Sequence, residues 1–354
     1  MSTRARFAGF LAVAAAALAT TSGSAMADVY TLTSTPAGNA VAVFDRAGNG
    51  TLQPAGTVAT GGSGLPSGGQ GALALDGNTL VAVNAGTNTV SLFRIDGHGP
   101  GLRDVEPSGG ASPLSATVHG RLVYVLNSAA PANITGFFIW HDRLVPVPGS
   151  TRPLSASAPA PAQVQFSPDG RTIAVTEKGT NRIDAYAVNV DGTATGPVVS
   201  PSAGGTPFGF AFDKRGRLIV SEAALNDVSS YSIADDGSVS AISAVVPDNQ
   251  AAPCWIAVTD DGGYAYTANA GSNSLSGYAI ARDGALSLLN ANGVTATTHA
   301  HPLDLAMSDG SHFLYALANG AGTIDAYRVN GDGSLTPIGS AGGLVPGGTG
   351  LVAS

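Results

Sequence analysis

Two carboxylates in this 354-residue chain stand where its own pattern elsewhere places asparagine. Glu177 closes the apolar run "TIAVTE" and Glu222 closes "LIVSE", whereas Asn84, Asn127, Asn269 and Asn319 close "LVAVN", "LVYVLN", "AYTAN" and "LYALAN". A carboxyl moved out of water resists ionisation, so if Phe208 shields Glu222 the acid becomes a usable proton donor or acceptor near neutral pH. Glu222 is therefore the first candidate for proton transfer, with Asn269 or the N–H groups of nearby strand starts available to hold a developing oxyanion. Asparagine before a glycine-containing turn also serves local backbone groups, and Glu177 fits turn capping as well as ligand contact.

A second set lies in "THAHPLD", which contains His299, His301 and Asp304, with Cys254 one repeat earlier. His-x-His on an extended segment turns both imidazoles to one side, a beginning for a metal site or a Cys-His pair. No further ligand follows at a diagnostic spacing, so neither a metal nor a cofactor is assigned. Cys254 is the only cysteine, which excludes an intramolecular disulfide and fits a small buried apolar residue. Phe208 and Trp255 would either plug a narrow opening or stack on a ring-shaped ligand. His98, His119, His141 and His312 fall in expected turns or strand edges and receive no role.

The elements that position these residues repeat. Asparagine or glycine followed five positions later by an aromatic residue occurs as "NAVAVF" from Asn39, "NTVSLF" from Asn88, "NITGFF" from Asn133, "NRIDAY" from Asn181, "NDVSSY" from Asn226, "NSLSGY" from Asn273 and "GTIDAY" from Gly322. Each copy from Asn88 onward follows one of the runs quoted above, and segments opening at proline ("PLSATV", "PAQVQF", "PFGFAF", "PCWIAV", "PLDLAM") precede five of those runs. A fourth segment follows a turn, as in "DGSVSAI". The Asp-Gly pairs are hairpin turns, since the carboxylate spacing of a calcium loop is missing. Four short strands per unit at this period predict an all-β, seven-bladed propeller of four-stranded blades.

Val29 to Ser34 enter as a second strand without an innermost one, and Thr349 to Ser354 read as the missing partner. The C-terminal strand is thus expected to join the first blade and close the ring, removing two open sheet edges. Antiparallel order would bring the ends of second strands and the starts of innermost strands to one mouth. That grouping sets Glu177, Phe208, Cys254, Trp255, Asn269, His301 and Asp304 around Glu222 as ligand-binding candidates, with Gln70 at another innermost-strand start.

"FSPDGRTIAVTEKGTNRIDAY" (166–186), "GFAFDKRGRLIVSEAALNDVSSYSI" (209–233), "GGYAYTANAGSNSLSGYAI" (262–280) and the C-terminal "GSLTPIGSAGGLVPGGTGLVAS" resemble the lactonase-family seven-bladed propellers, which include 6-phosphogluconolactonase and the 3-carboxymuconate cyclase. The strands ending in Asn also resemble YVTN-repeat propellers, mostly not known as enzymes. The lactonase resemblance spans the chain after the leader and implies a Pro-His-x-His segment where this chain has Pro159-Ala160-Pro161-Ala162. It implies Pro-Arg-His where Pro207-Phe208-Gly209 stands, and it carries over one acid, Glu222. Alanine cannot move a proton, so the family mechanism cannot run unchanged.

Arg4 and Arg6, the apolar run from Phe7 to Thr20 and Ala25-Met26-Ala27 form the three parts of a secretory signal peptide over 1–27. A single domain from 28 to 354, periplasmic or secreted and monomeric, with no membrane span after cleavage, is expected. The formal charge is −8, with two lysines and scattered arginines, which argues against nucleic acid. Only 11% of residues are charged against 44% hydrophobic, enough to bury a large core. Two functions follow: a lactonase-like enzyme that hydrolyses or forms a lactone or cyclic ester with Glu222 in proton transfer, or a non-catalytic propeller binding a small molecule, glycan or protein.

Overall fold

The runs that end in Asn or Glu are apolar at nearly every position, which suits a strand covered on both faces. That is how they sit in the computed structural model, which describes residues 28–64 and 68–354; the signal-peptide reading of 1–27 lies outside the described residues. Seven antiparallel sheets form blades 1 (28–59 with Thr349–Ala353), 2 (73–107), 3 (113–153), 4 (161–201), 5 (207–247), 6 (253–297) and 7 (302–341). Chain order runs from the innermost to the outermost strand in every blade but the first. In blades 3 and 6 the outermost strand is broken into two pieces, Arg143–Pro146 with Arg152–Pro153 and Leu286–Leu288 with Ala296–Thr297.

Blade 4 shows how the sequence builds a packed blade. Along Thr172–Glu177, Ile173 and Val175 pack with Tyr124, Leu126 and Phe166 toward blade 3, while Ala174 packs with Phe210 and Val220 of blade 5. Alternate side chains leave a strand on opposite faces, so a strand between two neighbours must be apolar on both. The aromatic residues of the repeat, among them Phe44, Phe93, Tyr186, Tyr231, Tyr278 and Tyr327, are buried between blades.

In blade 3 the repeat is displaced by one residue from the sequence reading. Phe137 is buried, whereas Phe138, the expected aromatic, is 38% exposed. The bond of Leu154 N–H to Ala132 C=O matches that of Ser202 N–H to Asn181 C=O in blade 4, so Ala132, not Asn133, occupies the motif position. A one-residue slip in a strand exchanges its faces, and "FF" hides it in the sequence.

The motif asparagines have a conformational and a bonding role. Asn88, Asn181, Asn226 and Asn273 adopt φ of 54 to 58°, a region costly for most side chains, and Gly322 takes 65° at the same place in blade 7. Their Oδ1 atoms accept the N–H of Ser112, Thr206, Ala252 and His301 at 2.7 to 2.9 Å, clamping the residue before each blade-opening proline. Closure follows the expected path: Thr349–Ala353 pairs with Asp28–Leu32 in the register Val29 to Ala353 and Tyr30 to Val352. Ser34 Oγ and Thr349 Oγ1 share a hydrogen bond of 2.7 Å, and Arg46 Nη2 donates to Ser354 C=O at 2.9 Å.

Candidate functional site

The expected mouth is crossed by the chain itself. Before the innermost strand of blade 2 begins at Leu73, the stretch Gly68-Gly69-Gln70-Gly71 passes over the ring axis. Gln70 N–H donates to Ala162 C=O of blade 4 at 3.0 Å. Its Nε2 donates to Ile256 C=O of blade 6 at 3.1 Å, and Ile256 N–H returns a bond to Oε1 at 3.3 Å. Glycine is needed here because a Cβ on Gly69 would lie 2.5 Å from Ala162 O, and Gly71 has φ of 77°. Lys178 pins the plug from outside: Nζ donates to Gly68 C=O at 2.6 Å and lies 4.4 Å from the centre of the Phe208 ring. Burial lowers its pKa.

Phe208 packs against Trp255 with ring centroids 5.2 Å apart, and Trp255 is buried. Cys254 is buried beside them, its C=O accepting from Ser221 Oγ at 2.8 Å and its thiol pushed up to about 12 by burial, so it is not a thiolate nucleophile at neutral pH. Phe208, Trp255 and Cys254 thus form the rim and underside of a plug.

Glu177 and Glu222 stand at the mouth end of their strands but turn between blades, each 0% exposed. Glu222 Oε1 accepts from Ser202 Oγ at 2.6 Å and Tyr231 OH at 2.7 Å. Burial pushes its carboxyl up to about 6 against those two bonds. The shielding expected from Phe208 comes instead from Tyr231 and the Ser202 loop. Glu177 accepts from the N–H of Ser155 at 2.9 Å and from the hydroxyls of Ser155 and Thr180. Beside it Asp184 is raised by burial and by the facing Glu177 charge.

These contacts repeat around the ring. Asn84 Oδ1 accepts from Thr60 Oγ1 at 2.6 Å, and Asn127 Nδ2 donates to Ser108 C=O at 3.1 Å. In blades 2 to 5 the residue ending the second strand therefore ties down the loop arriving from the previous blade. Asn269 is equally buried, donating to Ser274 Oγ at 3.1 Å and Ser276 Oγ at 2.8 Å. Where the sequence sets Glu177 and Glu222 at the mouth, the structure presents Lys178, because both carboxylates are used between blades.

Below the plug the axis is open. A cavity of about 290 Å³ runs along the innermost strands, lined by Gln70, Thr117, His119, Gln163, Gln165 and Asp304. Asp304 and His119 are its titratable lining groups. Asp304 is 3% exposed; its Oδ1 accepts from Leu305 N–H at 3.0 Å, and burial pushes the carboxyl up to about 7 against the pull of the Leu305, Gly350, Gly71 and Leu351 N–H groups. Gln163 is held by an exchange of bonds with Phe210 N–H and C=O at 2.7 and 2.9 Å. His119 sits at the far rim against Phe166, with ring centroids 5.9 Å apart.

Of the candidates read from sequence, Asp304 and Gln70 line this cavity. Gln163, Gln165, Thr117 and His119 were missed. The signal for the glutamines was their alternation in "PAQVQF", polar side chains two apart on an innermost strand. His301 is exposed, its backbone in the Asn273 clamp and its Nδ1 3.2 Å from Ala270 C=O. His299 turns instead to Asp325, with Nδ1 2.6 Å from Oδ1, so the pair diverges.

With this geometry in view, the likenesses to known proteins are informative. The family model "Lactonase, 7-bladed beta-propeller" matches residues 146–224 and 219–350, more than half of the chain. The chain belongs to the lactonase family of seven-bladed β-propellers. Among curated proteins none matches it. A solved protein from Lactobacillus plantarum superposes with a TM-score of 0.77 at 18% identity, covering 93% of this chain and 99% of the other. The periplasmic gluconolactonase of Pseudomonas aeruginosa gives 0.74 at 16%, covering 93% and 99%. A candidate 6-phosphogluconolactonase from Bacteroides fragilis gives 0.72 at 19%, covering 93% and 98%. At such identities the structural likeness speaks for the fold.

Membership sharpens the departures in this lactonase-family chain. Ala162, where the family resemblance implies histidine, lies under Gly69, and a Cβ on Gly209 would meet Gln70 Oε1 at 2.0 Å and Cys254 O at 2.5 Å. A histidine at 209 and the Gln70 bridge exclude each other. Among the described residues no helix is long and apolar enough to cross a membrane.

Proposed function

We propose that this lactonase-family propeller hydrolyses or forms a small uncharged lactone or cyclic ester in its axial cavity, with Asp304 as the proton-transfer group. The observation that carries this reading is a carboxyl at the ring axis, raised to about 7, that lines a cavity large enough for a small ring. A general base must reach the proton it takes, and a pKa near the working pH serves both directions of transfer. In hydrolysis the Asp304 carboxylate accepts a proton from water as its oxygen attacks the lactone carbonyl, and returns it to the ring oxygen as that bond breaks. Thr117 and the Gln165 amide are suited to hold the ring and its carbonyl.

Glu222 is the alternative proton carrier, since it too is raised toward neutrality, but its contacts are Ser202 and Tyr231. The ligand is uncharged in this reading because no lysine or arginine lines the cavity and ionised Asp304 repels anions. The leader-like residues 1–27 support export, which N-terminal sequencing of the secreted or periplasmic protein would check by a start at Asp28.

The test is hydrolysis of a panel of neutral and acidic lactones by wild type, Asp304→Asn and Glu222→Gln. Loss of turnover in Asp304→Asn with near-normal Glu222→Gln is expected; the opposite pattern transfers the role to Glu222. Binding of neutral lactones without turnover would favour the non-catalytic reading, which the alanine and glycine at the expected histidine positions support.

A further inference from the structure

We infer that His299, held by Asp325 on the flank of blade 7, is a second general base in this molecule, acting on small uncharged acyl esters. Both carboxylate oxygens of Asp325 are committed to this one residue: Oδ2 accepts the His299 N–H at 2.7 Å and Oδ1 the ring Nδ1–H at 2.6 Å. A carboxylate only accepts, so a neutral imidazole held in this way carries its proton on Nδ1 and presents the Nε2 lone pair outward. Asp325 is 6% exposed and His299 56%, so the dyad has a buried anchor and an open working end.

Comparison around the ring separates this pair from scaffolding. At six of the seven junctions the loop arriving at the blade has an N–H to C=O bond from Thr60, Ser108, Leu154, Ser202, Asp248 or Thr298 to the motif residue. The next residue is Gly61, Gly109, Ser155, Ala203 or Asn249 at five junctions and His299 at the sixth. Asp184 of blade 4 occupies the place of Asp325 and likewise accepts the backbone N–H, from Ser155 at 2.9 Å. There Glu177 stands alongside; blade 7 ends its second strand in Ala318, which brings no polar group. The backbone bond meets the need of the junction, and the imidazole is an addition to it.

The ring faces space for a ligand. A cleft of about 440 Å³ is lined by Thr297, Thr298, His299, Asp325, Tyr327 and Ser340, together with Pro337. Ser340 pairs across the sheet with Asp325, so their side chains share a face. No cation lines the cleft and one carboxylate does, which selects an uncharged substrate. In the reaction Nε2 takes a proton from water as the oxygen attacks the ester carbonyl, the Ser340 hydroxyl donates to the carbonyl oxygen, and the proton on Nε2 passes to the departing alkoxide. Ester and water become acid and alcohol, and the imidazole is restored.

The experiment uses the full mature chain and p-nitrophenyl acetate, with His301 as the internal control for an exposed imidazole lacking a carboxylate partner. His299→Gln is expected to lose about tenfold or more of the rate, Asp325→Asn to lose as much, and His301→Gln to stay within twofold of wild type. A His299→Gln rate within twofold of wild type, or an equal loss in His301→Gln, overturns the inference. Should Asp325→Asn fail to fold by its melting curve, the His299 and His301 pair still decides.

Discussion

Gln70 spans the ring axis and exchanges two hydrogen bonds with the main chain of Ile256, 186 positions away and in a blade that does not adjoin its own. One amide thereby closes one end of the central channel and ties blade 2 to blade 6. Its donor and acceptor match the N–H and C=O of a bulged innermost strand, whose register shifts between Pro253 and Trp255.

Gln70→Ala is expected to cost about 1–3 kcal/mol, because it strands a buried N–H and C=O of Ile256. Gly209→Ala should also destabilise, since its Cβ falls on Gln70 Oε1. The pair should couple: with Gln70 removed, Gly209→Ala should cost less. Denaturant unfolding of the two single variants and the double measures this, and strict additivity would contradict the shared space.

Stability should fall as pH rises from about 4 to 7. Asp304 is raised by burial to about 7 and Glu222, Asp227 and Asp248 each to about 6, above the unfolded values near 4. The folded state then holds more protons than the unfolded state across this window, so stability is fully present below about pH 4 and is lost as pH passes through the folded values. Melting temperatures at pH 5 should exceed those at pH 8 by at least a few degrees. Asp304→Asn should narrow the gap by raising the pH 8 value.

Removing residues 349–354 takes the innermost strand from blade 1 and reopens the ring. A fall in melting temperature of roughly 10 °C or more is expected, accompanied by self-association through the bared edge of Asp28–Leu32. Calorimetry with sedimentation of the truncated chain checks both outcomes.

At Asn226 the two demands on the motif residue can be separated. Asn226→Gly keeps the φ of 58° and loses the 2.9 Å bond to Ala252 N–H, at about 1 kcal/mol. Asn226→Ala loses the bond and strains the backbone, so it should cost about 1 kcal/mol more. Equal midpoints in urea for the two variants would leave the clamp as the whole effect.

Glycine substitution has a different consequence at the plug. Gly69→Ala drives a Cβ to within 2.5 Å of Ala162 O and 2.6 Å of Leu114 Cγ, so the segment must lift. The lifted plug should admit solvent to the cavity from both ends, seen as faster hydrogen exchange at Gln70 and Ile256 amides with the outer strands unchanged.

How far the chain speaks for itself differs with the range of the interaction concerned. Blades, their number, the closing strand and the motif asparagines were readable, because each follows from alternation, turn chemistry or a backbone conformation carried within a few neighbouring residues. Blade 3 misled by one position because Phe137 and Phe138 are equivalent to a pattern but not to a sheet with two faces. Glu177 and Glu222 were found as exceptions in the repeat, yet nothing local tells whether a strand-end side chain turns to the axis or between blades. Ser155, Ser202 and Tyr231 decide that, and they arrive from other strands. The same holds at the centre. Gln70 reads as the start of an innermost strand, and only the assembled ring, in which that strand begins at Leu73, brings Gly69 onto Ala162 and Gln70 onto Ile256, closing the end where ligands were expected. Asp304 was one of several polar residues in a strand until the ring enclosed it. Its burial, and with it a proton affinity suited to neutral pH, is a property of seven blades meeting at an axis.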